Sequence, residues 1–151
     1  MRLENIYKFL NCKKFAVVGV SRNDKKFGNI VYNELKRKEY NVVPVNPYME
    51  TYKGEKCYRS VKELPEDVEA LIVVTKPEIT LYIVIAAIEK GIKHIFLQRG
   101  AQNSEAIEYA EENNVNIIQK QCIMMFANPT GFHKFHRTIV KFFGLYPKQH
   151  V

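Results

Sequence analysis

The chain has no tryptophan, only three cysteines and seven glycines among its 151 residues, and fewer acids than bases. Each shortage excludes something. Cys12, Cys57 and Cys122 are odd in number and widely spaced, so they read as reduced thiols of a cytoplasmic protein and not as a disulfide framework. No apolar run reaches the roughly 18–20 residues that a bilayer-spanning helix needs, and no membrane partner is expected. The start, MRLENIYK, has the pattern of a short amphipathic helix. It lacks an apolar h-region and a small-residue cleavage site, and so does not read as a signal peptide. There is no Gly/Ser-rich linker and no internal repeat. Also missing are G-x-S-x-G, H-E-x-x-H, C-x-x-C and a complete G-x-G-x-x-G. No catalytic residue and no metal ligand is therefore expected. His133 and His136 share a helical spacing but have no carboxylate or cysteine near them in sequence, and His94 reads as structural.

What is present is an alternation. Five short runs, 14–20 (KFAVVGV), 41–46 (NVVPVN), 70–75 (ALIVVT), 93–97 (KHIFL) and 115–119 (VNIIQ), are nearly continuous in apolar, β-branched residues. Strands buried on both faces of a parallel sheet have that character. Helical patterns separate them over 28–39, 77–90 and from Asn103 or Ser104 to Asn113. Pro77 suits a first helical position, Gly91 a helix end, and Asn103 or Ser104 a cap. Ser60 with Glu63 has capping-box spacing inside the loop-rich stretch 48–65. The pattern predicts an α/β fold: a Rossmann-like, doubly wound, parallel five-stranded sheet of order 3-2-1-4-5. An extra C-terminal helix is expected from Phe132, Phe135, Ile139, Phe142 and Phe143 on one face. The whole, 1–151, is predicted to be one domain with its core at about 12–122 and a helical extension over 123–151. That helix packs on the domain or supplies a homodimer interface.

The net charge of +7 admits a nucleic acid, an acidic surface or a polyanionic small ligand, and the positions of the cations decide among them. In such a sheet, ligands bind beyond the carboxyl ends of the strands. The first strand runs into Gly19, Ser21, Arg22, Lys25, Lys26 and Gly28: glycines, a hydroxyl and three cations at a helix entrance, a composition suited to phosphate. The second ends in Asn46-Pro47, where a nicotinamide-dinucleotide site usually offers an acid to the ribose diol. Lys53-Gly54 reads as a turn that brings one more cation. The third strand ends in Thr75-Lys76-Pro77 and the fourth in Gln98-Arg99-Gly100. Cys122 follows the fifth, as a buried thiol or one near a ligand's reactive end. No DNA- or RNA-binding motif accompanies the charge, and nucleic acid is not expected as a partner.

The segments FAVVGVSRNDKKFGNIV, VVPVNP, KGEKCYRSV, VTKPE and EKGIKHIFLQRGAQNSEAIEYAEENNVNII, closing on Cys122, resemble the small coenzyme A (CoA)-binding domain proteins. These are similar to the N-terminal CoA-binding domain of succinyl-CoA synthetase α subunits and NDP-forming acyl-CoA synthetases. The resemblance runs from about Cys12 to Cys122 and departs from the family pattern at Phe96 and Arg99. It implies CoA or acyl-CoA as the ligand. Gly19, Ser21, Arg22, Lys26 and Gly28 would lie near its phosphates, and Asn46, Pro47 and Lys53 would border the nucleotide. Thr75, Lys76 and Pro77 would face the adenine or pantetheine, with Gln98 and Gly100 as the far wall. The synthetases use an ATP-binding and a phosphohistidine domain for which these residues provide no counterpart, so the expectation is non-catalytic binding with a synthetase-like protein partner. The alternative expectation is an NAD(P)-binding redox sensor or oxidoreductase, with Arg22 or Lys26 meeting a 2′-phosphate.

Overall fold

The computed structural model describes residues 3–127. A first helix α1 (Leu3–Leu10) leads into β1 (Phe15–Val18), α2 (Phe27–Arg37) and β2 (Val42–Val45). A small hairpin follows, β3 (Thr51–Tyr52) and β4 (Glu55–Lys56), and then a single 3-10 turn, Val61–Glu63. The chain continues through β5 (Ala70–Val73), α3 (Pro77–Glu89), β6 (His94–Gln98), α4 (Ser104–Glu112) and β7 (Asn116–Gln121) to a second 3-10 turn at Ile123–Met125. The expected C-terminal helix, with His133 and His136, lies outside the described residues.

The local chemistry explains the helix ends. Lys76 is the extended cap of α3, and Pro77 opens the helix where its missing N–H costs nothing. Gly91, at φ 88°, closes it in the left-handed region while the Ile92 N–H reaches back to the Ala87 carbonyl. On α4, the Asn103 side chain accepts from the Ala106 N–H at 2.9 Å. Ser60 caps nothing with its hydroxyl; instead the Glu63 carboxylate accepts from the Arg59 N–H.

The main sheet is parallel throughout and has the order β2-β1-β5-β6-β7. Counting its five strands in sequence, this is 2-1-3-4-5, which corrects the expected 3-2-1-4-5. The α/β, doubly wound character stands; the second crossover runs the other way. The cause is the face on which residues 46–69 pack. Val61, Leu64 and Val68 pack with Ala16, Val18, Val45 and Val73 on the side that also carries α3 and α4. Helix α2, through Val31, Tyr32 and Leu35, and α1, through Leu3, Ile6 and Phe9, pack on the opposite side. A right-handed path on the α3 side carries the chain back past β1, whereas order 3-2-1 needs this segment on the α2 side. Among the described residues no helix is long and apolar enough to cross a membrane, and all three cysteines are free.

Candidate functional site

Reversal of direction after β2 places the switch point between β1 and β5, where an open α/β sheet leaves a crevice at its carboxyl edge. A cleft of about 520 Å³ opens there. Its floor is the end of β1 and the loop beyond it, Val18 to Ser21, and one wall is the end of β2, Val45 to Pro47. Arg59, Ser60 and Val61 from the crossover and Ile79, Tyr82, Ile83 and Ala86 from α3 close the other sides, with Val74, Thr75 and Lys76 between them. The surface is mainly apolar, with hydroxyls at Ser21, Ser60 and Thr75, an amide at Asn46 and cations at Arg59 and Lys76.

Two glycines and two asparagines shape the floor. Gly19 turns at φ 121°, and a Cβ there would overlap the Val74 carbonyl. A Cβ on Gly28 would overlap the Gly19 carbonyl, so α2 and β1 touch backbone to backbone. Asn29, fully buried on α2, donates from Nδ2 to the Ser21 carbonyl at 2.7 Å and accepts at Oδ1 from the Ser21 N–H at 2.8 Å. From the opposite side Asn46 donates to the Val20 carbonyl at 2.6 Å while its Oδ1 accepts from the Tyr48 N–H. Both polar ends of Asn46 are therefore engaged within the protein. Behind it, burial pushes the Cys57 thiol up from its ordinary pKa.

Of the residues singled out from the sequence, Gly19, Ser21, Asn46, Pro47, Thr75 and Lys76 come together around this cleft. Arg22 lines an adjoining hollow with Pro47, Tyr48 and Arg59, and its Nη2 donates to the Tyr48 carbonyl at 2.9 Å. Lys26 is the exposed cap residue of α2, and its side chain lines none of the clefts described here. Pro77 and Gly100 lie in a second cleft beside the first. Gly28 and Gln98 act from behind the surface: Gln98, 2% exposed, accepts at Oε1 from the Ile123 N–H. Lys53 stands in the β3–β4 turn, its ammonium 5.7 Å from the centre of the Tyr52 ring, away from the cleft. Cys122 packs against the core on the α1–α2 side, two strands from the switch point.

Sequence reasoning missed Asn29, Arg59 and the α3 pair Ile79 and Tyr82. The last two were detectable as large apolar side chains left 48% and 72% exposed on a strongly apolar helix, but exposure is not written in a pattern apolar on nearly every side. Asn29, one of several polar residues of α2, carried no signal that set it apart.

Residues 13–128 match the CoA binding domain family. The α subunit of ADP-forming acetate–CoA ligase II from Pyrococcus furiosus is 30% identical over an alignment of 146 residues that covers 88% of this chain and 32% of that subunit. The chain thus spans about a third of the length of that relative. A conserved hypothetical protein from Pyrococcus furiosus, 40% identical, superposes with a TM-score of 0.72 over 74% of this chain and 97% of its own. A hypothetical protein from Pyrococcus horikoshii, 38% identical, superposes with a TM-score of 0.76 over 80% of this chain and 86% of its own. With three quarters of its length matched to the family and the crevice at the matching strand ends, the chain belongs to the CoA-binding domain family.

Proposed function

We propose that the chain binds coenzyme A or an acyl-CoA in the cleft between β1 and β5, without itself catalysing a reaction. The observation that carries the reading is a mainly apolar crevice continuous with a phosphate-suited loop. Val45, Pro47, Val61, Ile79 and Ile83 offer the adenosine an apolar slot. Beside it, Gly19 turns the chain out of β1 at φ 121°, and Arg22, Lys25 and Lys26 stand at the entrance of α2. Free N–H groups and the positive dipole end of an 11-residue helix attract the pyrophosphate there. Arg59 supplies further positive charge at the rim for the 3′-phosphate, which adds about −1.5 to −2. In this reading Gly28 and Gln98 hold the frame, and Pro77 and Gly100 border the pantetheine arm. The apolar, hydroxyl, amide and cationic groups of the lining suit holding a nucleotide and not moving protons. A synthetase-like partner would supply any chemistry on the thioester.

Thermal unfolding with CoA, dephospho-CoA, NAD, NADP and ATP tests this. Ligand at ~100 times its dissociation constant adds about 2.7 kcal/mol to stability. The expected result is a clear shift with CoA, a smaller one with dephospho-CoA and a weakened response in Lys26→Ala. A shift with NAD or NADP alone overturns the proposal.

A further inference from the structure

Beyond the entrance of α3 a second cleft of about 400 Å³ adjoins the first, sharing Val74, Thr75 and Lys76 with it. Phe27 from the first turn of α2, Pro77 and Ala101 give it an apolar body. Its charged groups are Lys76 and Arg99, and no carboxylate lines it. Ion pairing engages seven other basic residues of the described chain, including Arg59 and Lys90. Lys76 and Arg99, like Arg22, Lys25 and Lys26 at the entrance of α2, have no such partner among the described residues, and of these only Lys76 and Arg99 line the second cleft; the Arg99 backbone N–H donates to the Gln121 carbonyl. Two unneutralised cations at the rim of a small apolar hollow are poorly matched to a neutral alkyl group. They are complementary to a short chain ending in a negative charge.

We propose that this second cleft receives the acyl end of the ligand, and that Lys76 and Arg99 select a CoA thioester whose acyl group ends in a carboxylate. The inference rests on the CoA reading above and adds the class of thioester. The nucleotide occupies the first cleft, the pantetheine arm passes Thr75 and Pro77, and the methylenes of the acyl chain lie against Phe27 and Ala101. The terminal carboxylate meets the guanidinium of Arg99, whose planar fork suits it, and the ammonium of Lys76.

Titration calorimetry of the full chain with CoA, valeryl-CoA and glutaryl-CoA separates the two readings, because the two acyl groups have the same number of carbons and differ in the terminal charge. Glutaryl-CoA is expected to bind about fivefold more tightly than valeryl-CoA, the scale of an exposed charge pair. The preference should shrink with added salt. In Arg99→Met, which keeps the unbranched apolar stem of the side chain and removes its charge at an exposed position, the two thioesters should converge while CoA itself binds as before. Equal binding of the two thioesters in the unaltered chain, with CoA bound, overturns the selection and leaves the CoA reading intact. Equal weakening of all three ligands in Arg99→Met assigns Arg99 to the phosphates and likewise overturns it. Failure of all three to bind overturns both.

Discussion

Asn29 grips Ser21 by both of its backbone groups, donating to the carbonyl at 2.7 Å and accepting from the N–H at 2.8 Å. A side-chain amide here replaces the ladder partner that the chain loses on leaving β1. The first residue of the candidate phosphate loop is thereby held in one conformation before any ligand arrives, which lowers the ordering cost of binding.

Asn29→Ala should therefore cost about 2–3 kcal/mol, since it strands two backbone groups in a partly buried place and opens a void. Asn29→Asp should cost no less, because a carboxylate turned toward the Ser21 carbonyl repels it. Urea unfolding reads both through the midpoint at unchanged slope. A loss under about 0.5 kcal/mol for either would mean that the loop holds itself.

Gly28 gives a prediction whose sign separates two explanations. Helix propensity alone makes Gly→Ala favourable by roughly 1 kcal/mol. The structure has the Cβ of such an alanine overlapping the Gly19 carbonyl, which is backbone and cannot swing aside. Gly28→Ala is expected to destabilise by more than about 1 kcal/mol despite the propensity gain, as overpacking against fixed atoms does. The same unfolding experiment decides, and a stabilised variant would exclude the close contact between α2 and β1.

These two positions mark what could be read from the sequence. The strands were legible because runs such as FAVV and ALIV are apolar without alternation, and the helix ends because Pro77, Gly91 and Asn103 act within a few residues of themselves. The strand order was not, since Val61, Leu64 and Val68 pack equally well on either face as far as a sequence shows, and only the finished core chooses. The same limit applied to the site. The strand-end residues Gly19, Ser21, Asn46 and Thr75 were found because topology fixes where strand ends lie. Lys53 was set beside the nucleotide by its charge in a Lys-Gly turn and by the resemblance, and only the turn is where it was expected. It sits with φ at 49° in a tight turn before Gly54, in a hairpin held against α2.

His94 makes stability depend on pH in a defined direction. Burial lowers its pKa from the ordinary 6.5, against a smaller opposing pull from Glu69, with the nearby Lys8 lowering it further. The Asn116 amide, which also donates to the Asn5 carbonyl, lies 3.2 Å from Nδ1 and favours the neutral ring with Nδ1 as acceptor. The unfolded chain binds the proton more readily than the folded one, so stability falls as pH drops below about 6.5 toward the folded pKa. Glu34 and Glu55, whose pKa values hydrogen bonds to Arg37 and Lys36 lower, contribute stability above about 4.5 that is lost only at more acid pH. Unfolding midpoints between pH 7.5 and 5 should decline in the unaltered chain and flatten in His94→Gln. An equal decline in both would remove His94 as the cause.

Tyr52 is the last link between the hairpin and the candidate loop. Its hydroxyl donates to the Asp24 carboxylate at 2.7 Å and accepts from Asn33 Nδ2 at 3.1 Å, while its ring meets Tyr32 edge-on at 5.3 Å. One buried phenol thus ties β3 both to α2 and to the loop that carries Arg22, Lys25 and Lys26. Tyr52→Phe keeps the ring packing and removes both bonds, so about 1–2 kcal/mol of stability should go with them. Freed from the phenol, the Asp24 carboxylate turns its charge on the same loop that is to meet the pyrophosphate, and CoA affinity should fall as well. Asp24→Asn in the Tyr52→Phe background removes that charge and should restore affinity without restoring stability. Measured together, unfolding midpoints and CoA dissociation constants separate the two roles. Stability lost with affinity untouched would mean that the hairpin braces the fold and leaves the loop to Asn29 and Asn46.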